Sequence, residues 1–413
     1  MSQNRIARCF HVSSLNIPGE ETSLKYLISL SLIPILTLTC LFSANGQVPV
    51  SPKLRSSIEQ IDKMTAAEYA KDNIGGVTVG IVVGSNLVWT KSYGYADVER
   101  KIPATKDTVY RVASVTKLFT GLMLLQLVER GRVHLSDPVK KYFPEVNKIQ
   151  GRFPGAPPVT LVQLATMTAG LVGEPKNAER YNTGRVADWE KVLILSLIDT
   201  KYLYEPGTYH NYSNTSYAIL GAALGRAAGV PYVSYMQKQI IEPLGMTRTA
   251  FEPNSQISPF LAKGYHVDEN GKLDTLTPLR QHGNRGKNVP AGSLYSTVSD
   301  LTRLVAFELG EGSANILKKE TLDNSFSALV AADSDLNHGD GIGFSALRLM
   351  PSNFVAVGHL GALRGYSAAV IFDRSSRTGI IMLANVTDGK ADYQELAQRA
   401  LAMLVNSGSE LTK

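Results

Sequence analysis

The sequence predicts an α/β fold of the α+β kind: one antiparallel sheet assembled from the N- and C-terminal segments, flanked by helices, with a mainly helical subdomain inserted between them. Three observations carry this expectation. β-rich runs occur near the start, at 76–96, and a second set occurs near the end, between 341 and 386. The long stretch between them follows helical periodicity. A cleft where the sheet and the helical part meet is then the natural place for a site.

The elements follow in order. "KLRSSIEQIDKMTAAEYAKDN" (53–73) sets Ile58, Ile61 and Met64 at helical spacing and runs into a turn at Asn73–Gly76. "GVTVGIVVGSNLVWTKSYGYA" (76–96) gives two strands around Gly84-Ser85-Asn86, a hairpin. Helical patterns then occupy 117–130, 159–169, 188–199, 213–228, 232–242 and 298–308, with a small hairpin expected at Asn270-Gly271. Strands are expected at 341–350, 354–361, 365–373 and 378–386, followed by a helix over 392–405.

With 44% hydrophobic and 19% charged residues, the chain can bury a sizeable core and is not a disordered sequence. No internal period of solenoid or propeller type recurs. Lysines and arginines are scattered and not interleaved with aromatics, so no nucleic-acid partner is expected.

Residues 26–50 carry no charge, and "YLISLSLIPILTLTCLFS" precedes "ANGQ", with Ala44 and Gly46 at an A-x-G cleavage spacing. Residues 1–46 are therefore expected to be a secretory signal peptide and the product periplasmic or secreted; a membrane anchor is the alternative, if the leader is uncleaved. Both cysteines, Cys9 and Cys40, precede the cut, so the mature chain has no disulfide. The leader holds three basic and two acidic residues, so the net charge falls from +6 to +5.

The chemistry starts at "RVASVTKLFTGLMLLQLVERG" (111–131). A serine hydroxyl is a poor nucleophile until a base takes its proton, and residues three apart on a helix share a face, so Lys117 can reach Ser114. Lys117 serves as a base only when neutral, and the apolar run after it supplies the burial that lowers its pKa from about 10.4. Ser114 at a helix start also sits beside free backbone N–H groups and the positive dipole end. This S-x-x-K is the chain's single match to that spacing.

Its companions are "PGTYHNYSN" (206–214), with Tyr212, Ser213 and Asn214, and "VGHLGALRGYSA" (357–368), with His359, Leu360 and Gly361. S-x-x-K, Y-x-N and a late K-T-G or H-x-G resemble the motif set of serine β-lactamases and penicillin-binding proteins. From about 54 to 405 the chain is similar to the branch holding class C β-lactamases, D-alanyl-D-alanine carboxypeptidases, D-aminopeptidases and related esterases. The patches "SYGYAD", "RVASVTK", "LVQLATMTAGL", "PGTYHNYSN", "EPLGMTRTAF", "PAGSLYSTVSDL", "GIGF" and "GHLGALRGYSA" occur in one order. The resemblance implies a β-lactamase/transpeptidase-like domain over 54–405, with a sheet part at 54–110 and 335–405 and a helical part at 111–334.

It also implies roles. Ser114 attacks a carbonyl and forms an acyl-enzyme; Lys117 and Tyr212 share the base and acid work, their order left open by the sequence. Tyr212 is preferred to the shifted Tyr209–Asn211 pair because four residues separate it from Pro-Gly. Asn214 orients Lys117 and the substrate amide. The backbone N–H groups of Ser114 and Ala362 form an oxyanion hole, each donor worth about 10²–10³ in rate.

Two departures bear on substrate. His359-Leu360-Gly361 stands where β-lactamases of this branch carry Lys-Thr-Gly, so a lysine anchor for a substrate carboxylate is missing; Arg364 is the candidate to supply that charge. Met167 stands in "LATMTAGL" where many relatives carry histidine, and reads as structural wall. Tyr295 and Tyr366, with Arg364, are candidates for lining the cleft, packing being the alternative. His134, His210, His266, His282 and His338 show no paired spacing and read as surface or loop histidines; no metal and no cofactor are expected.

The expected function is an exported serine hydrolase acting on a small-molecule ester, peptide or β-lactam substrate, ester and amide hydrolysis ranking above penicillin hydrolysis. A non-catalytic ligand-binding or self-assembling relative is the alternative.

Overall fold

The computed structural model of the chain describes residues 50–312, 314–326, 330–349 and 354–408. The leader expected at 1–46 lies outside the described residues. Helix α1 (Pro52–Tyr69) begins where the Ser51 hydroxyl accepts from the Leu54 N–H at 3.2 Å, with Pro52 in the first turn, where its missing N–H would have no helical partner anyway. It buries Leu54, Ile58 and Ile61. Strands β1 (Gly76–Val83) and β2 (Asn86–Asp97) form the expected hairpin, and β3 (Ile102–Pro103) extends it.

The middle of the chain supplies α2 (Thr116–Glu129), α3 (Asn214–Ala228) and α4 (Val298–Glu308) at the expected places. The 188–199 pattern forms Trp189–Ser196 with a 3₁₀ turn, Leu197–Asp199, and two other patterns are broken. The helix expected over 159–169 covers only Leu161–Ala165, because the chain turns at Met167, whose φ of +60° no right-handed helix accommodates. The 232–242 pattern divides into Tyr232–Met236 and a π turn, Gln237–Ile241.

The chain then returns to the sheet through β4 (Val330–Ala331), β5 (His338–Asp340), β6 (Ser345–Leu349), β7 (Phe354–Leu363), β8 (Tyr366–Asp373) and β9 (Thr378–Ala384), and ends in α5 (Tyr393–Ser407). Among the described residues the strands order as β3-β2-β1-β9-β8-β7-β6-β5-β4. β1 and β9 join the two ends of the chain, antiparallel from Val77 opposite Ala384 to Val83 opposite Thr378.

Period-2 alternation puts Ala369, Ile371, Ile380 and Met382 on one face, packed with α1 and α5, and Ala368, Val370, Phe372, Ile381 and Leu383 on the other, packed with the helical part. Both faces of the central strands are thereby buried, which is why β1 reads as a near-continuous apolar run. Helix α4 lies directly on the sheet: a β-carbon on Gly80 would stand 2.4 Å from the Val298 Cγ1, so only glycine permits that approach. α2 is buried from Thr116 to Leu127, its apolar residues spread around the helix with Lys117, Thr120 and Gln126 among them, and serves as the axis of the helical part.

Candidate active site

A two-residue ribbon, Tyr110–Arg111 paired with Tyr295–Ser296, delivers the chain to the turn that carries Ser114. Ala113 takes φ +49°, a left-handed conformation that costs a residue with a β-carbon about 1–2 kcal/mol. The surroundings hold it there. The Thr116 hydroxyl donates to the Ala113 carbonyl at 2.7 Å and accepts from the Leu294 N–H at 3.1 Å. Ser114 thus lies in a 3₁₀ turn, Ala113–Val115, that runs straight into α2, with Lys117 in the first turn of that helix.

Around the Ser114 Oγ the structure brings together residues about a hundred positions apart. The Tyr212 hydroxyl donates to it at 2.9 Å, and the Lys117 Nζ stands 3.1 Å away. Lys117 also donates to the Asn214 Oδ1 at 2.8 Å and to the Ala291 carbonyl at 2.9 Å. Its amine faces the rings of Tyr212 and Tyr217 at 4.9 and 5.4 Å. Tyr209, the alternative tyrosine, is exposed and packs on Tyr204.

Lys117 is fully buried, and burial pulls its amine down to about 7; Asp340 and Glu174 hold it up, and Arg285 and Lys287 add to the pull. Burial moves the Tyr212 phenol the other way, upward, against the hydrogen bond to Ser114. With 39% of Tyr212 open to solvent, water tempers that rise; its direction stands. Burial thus favours the neutral form of each group, the amine by lowering its pKa and the phenol by raising its own.

Asn214 opens α3, where the Ser213 hydroxyl caps the helix by accepting from the Ser216 N–H at 3.0 Å. Its Nδ2 donates to the Glu174 Oε1 at 2.9 Å, so both ends of its amide are held. Glu174 in turn pairs with buried Lys287 at 2.7 Å and accepts from Asn288. Burial pushes the Glu174 carboxyl up, but Lys287 and the two amides outweigh it and hold the group below the usual range. Met167 brackets Tyr212: its carbonyl accepts from the Asn211 N–H at 2.8 Å and its Sδ from the Ser213 N–H at 3.4 Å.

Strand β7 passes beside the nucleophile. A β-carbon on Gly361 would stand 2.3 Å from the Val112 carbonyl and 3.2 Å from the Ser114 nitrogen, so a glycine there lets the strand edge reach the Ser114 backbone. Ala362, the next residue, is exposed. His359 is buried, its ring edge-on to Tyr212 at 6.4 Å, and its Nδ1 is engaged with the Leu360 carbonyl. Burial, then the charge of Lys117, pulls it down to about 4, so His359 is neutral at physiological pH.

Arg364 stands apart. It is exposed in the β7–β8 turn and lines a cleft with His266, Asp268, Lys272 and Asp388, in which neither Ser114 nor His359 takes part. Tyr295 and Tyr366 are fully buried and pack around His282 rather than lining an open cleft.

Of the remaining histidines, His134, His210 and His282 lie in loops or turns, as expected, whereas His266 and His338 fall in short strands; His210 and His282 are also tied into the interior. His210, two residues before Tyr212, binds the Asp340 Oδ2 at 2.7 Å with its side chain 9% exposed, and the Ser345 hydroxyl donates to the other oxygen at 2.6 Å. His282 bridges the Tyr295 and Tyr366 hydroxyls at 3.0 and 3.2 Å, and burial pulls it down to about 4. Sequence reasoning also missed Glu174, Lys287, Asn288 and Ala291. They come from the segments at 172–187 and 275–292, expected as loops; the second folds into the short helical turns Leu276–Arg280, Gly286–Asn288 and Val289–Gly292, too brief to leave a periodic signal.

An α+β fold with a serine, a fully buried lysine and a tyrosine in mutual contact defines a class, the serine hydrolase superfamily. The Beta-lactamase family pattern matches residues 61–404, and the chain belongs to that family. It is 29% identical over 340 residues, 80% of its own length, to Beta-lactamase-like protein 2 of Dictyostelium discoideum, and 26% identical over 334 residues, again 80%, to Protein flp of Staphylococcus aureus. Those matches take in 59% and 63% of the two relatives, so the chain spans about three fifths of the curated proteins it resembles. Among solved structures it is similar to an octameric penicillin-binding protein homologue from Pyrococcus abyssi, with TM-score 0.70, 26% identity and coverage of 84% of this chain and 77% of that one. A D-stereospecific amidohydrolase from Streptomyces sp. superposes with TM-score 0.65, 25% identity and coverage of 83% and 96%.

Proposed function

We propose that the chain is a serine hydrolase that forms an acyl-enzyme at Ser114 and acts on small ester or amide substrates. One observation carries this reading: the Ser114 Oγ lies between the Tyr212 hydroxyl and a fully buried Lys117 amine held near 7. A neutral amine has two N–H donors and one lone pair. The Asn214 oxygen and the Ala291 carbonyl take the two donors, which leaves the lone pair for the Ser114 proton.

In this mechanism Lys117 accepts that proton as Ser114 Oγ attacks the substrate carbonyl. Tyr212, still protonated, donates toward the oxygen and then to the leaving group. The Ser114 and Ala362 N–H groups would receive the oxyanion. Water, activated by the same groups in reverse, completes hydrolysis.

Neutral His359 offers no cation to a substrate carboxylate, which favours simple esters and amides over penicillins. The amidohydrolase neighbour supports the amide arm of this reading. Export through residues 1–46 belongs to the same proposal and rests on sequence alone. The test is intact mass and peptide mapping after a fluorophosphonate probe, with Ser114→Ala as control. A single adduct on Ser114, missing from the control, is the expected result; a folded protein without adduct would return the chain to the non-catalytic reading.

A further inference from the structure

Behind the nucleophile turn the interior carries more positive than negative charge. Arg111 is fully buried, and its Nε and Nη2 have no hydrogen-bond partner among the described residues. Its Nη1 reaches only the Gln281 Oε1, at 3.4 Å. Arg285 is 8% exposed, and its Nε is likewise without a partner. Neither arginine forms an ion pair among the described residues, whereas nearby Lys287 takes the Glu174 carboxylate at 2.7 Å.

The carboxylates that act on this region do not balance it: Glu174 already pairs with Lys287, and Glu252, which acts on Tyr295, is exposed. The Arg111 guanidinium lies over the rings of Tyr295 and Tyr366, at 5.7 and 5.8 Å. Burial pushes both phenols up, so they stay protonated, and His282 between them is uncharged. Burial, then the charge of Arg111, pulls Arg285 down to about 9, a sign of two like charges sharing one low-dielectric region.

Water could satisfy the open N–H groups but would leave the two cations unbalanced. An unpaired buried charge is strongly unfavourable, and guanidinium is the side chain least able to shed its proton. We infer that Arg111 and Arg285 together bind one small monovalent anion, of halide or formate size. The full burial of Arg111 under Gln281 and His282 sets the size limit, since a larger oxyanion would have to displace that segment.

The location gives the site a consequence. A β-carbon on Gly292 would lie 3.5 Å from the Arg285 Nη2 and 3.6 Å from the Ala113 carbonyl carbon, so this guanidinium sits against the turn that presents Ser114. The segment that contributes Gln281 and Arg285 also contributes the Ala291 carbonyl to Lys117. A bound anion therefore pins the 281–291 segment in the conformation the site uses. The inference stands on burial and charge and is independent of the hydrolase reading.

The test is thermal unfolding of the full chain at constant ionic strength, replacing sodium gluconate stepwise by chloride, bromide or formate. A saturable rise in Tm with the small anions is expected. Arg111→Gln and Arg285→Gln should each abolish the anion-specific part, while the exposed-site variant Arg100→Gln keeps it. A response to halides identifies an inorganic occupant, and a response to formate alone identifies a carboxylate. Equal Tm in all four salts, or an anion response that survives in both buried-arginine variants, overturns the proposal. Should those variants fail to fold, a bromide-soaked crystal of the unaltered protein decides: an anomalous peak in reach of both guanidinium groups supports the site, and its absence refutes it.

Discussion

His210 binds Asp340 at 2.7 Å, tying the loop that carries Tyr212 to the edge of the sheet. The bond spans 130 residues, and both side chains are nearly sealed from water. Burial pushes the Asp340 carboxyl up, but His210 and Ser345 outweigh it, so the group stays ionised as a buried anion facing Lys117, Tyr212 and His359.

Asp340→Asn should therefore alter the pH profile of acylation. In the proposed mechanism acylation requires neutral Lys117, so in the unaltered protein probe labelling should fall as pH drops through about 7. Asp340 favours the protonated amine, and removing its charge lowers the Lys117 pKa, moving this limb to lower pH. Loosening the Tyr212 loop should also cut the plateau rate, by up to about 10²-fold for an ångström of misplacement. An unmoved limb would show that Asp340 has no electrostatic hold on Lys117.

Lys117→Met separates activity from stability. Loss of the base should cost about 10²–10⁴ in the rate of probe labelling. The fold should hold or gain stability in thermal unfolding, because an amine desolvated at 0% exposure is replaced by an apolar chain of similar length. A protein that labels normally would contradict the assignment of the base.

His359→Lys should raise kcat/KM for carboxylate-bearing substrates relative to neutral esters. The ceiling is about 4 kcal/mol for a charge pair at 4 Å in an effective dielectric of 20. The new cation would also stand beside Lys117 and push the acid limb lower. Paired assays with an ester and its carboxylate-bearing analogue check the ratio; equal gains for both would deny position 359 a role in charge selection.

Gly361→Ala should destabilise the chain by about 1–3 kcal/mol in urea unfolding, the usual cost of overpacking, because the added methyl meets the Val112 carbonyl at 2.3 Å. Labelling of Ser114 should fall with it, since relief of that clash moves either β7 or the nucleophile turn.

The sequence by itself determined the sheet built from both chain ends, the β1–β2 hairpin, helices α2, α3 and α4, and the meeting of Ser114 with Lys117. These are local facts: alternation sets a strand, 3.6 periodicity sets a helix, and a three-residue spacing sets a shared face. The motif order also placed Tyr212 and Asn214 near Ser114 through resemblance. Only the tertiary structure sets the pKa of Lys117, because it depends on burial and on charges such as Asp340, Glu174 and Arg285, which lie far away in sequence. It alone buried His359 edge-on to Tyr212 and joined His210 to Asp340. Each of those outcomes is fixed by how two loops and a strand edge fold over α2, and distance between remote segments leaves no periodic trace in the chain.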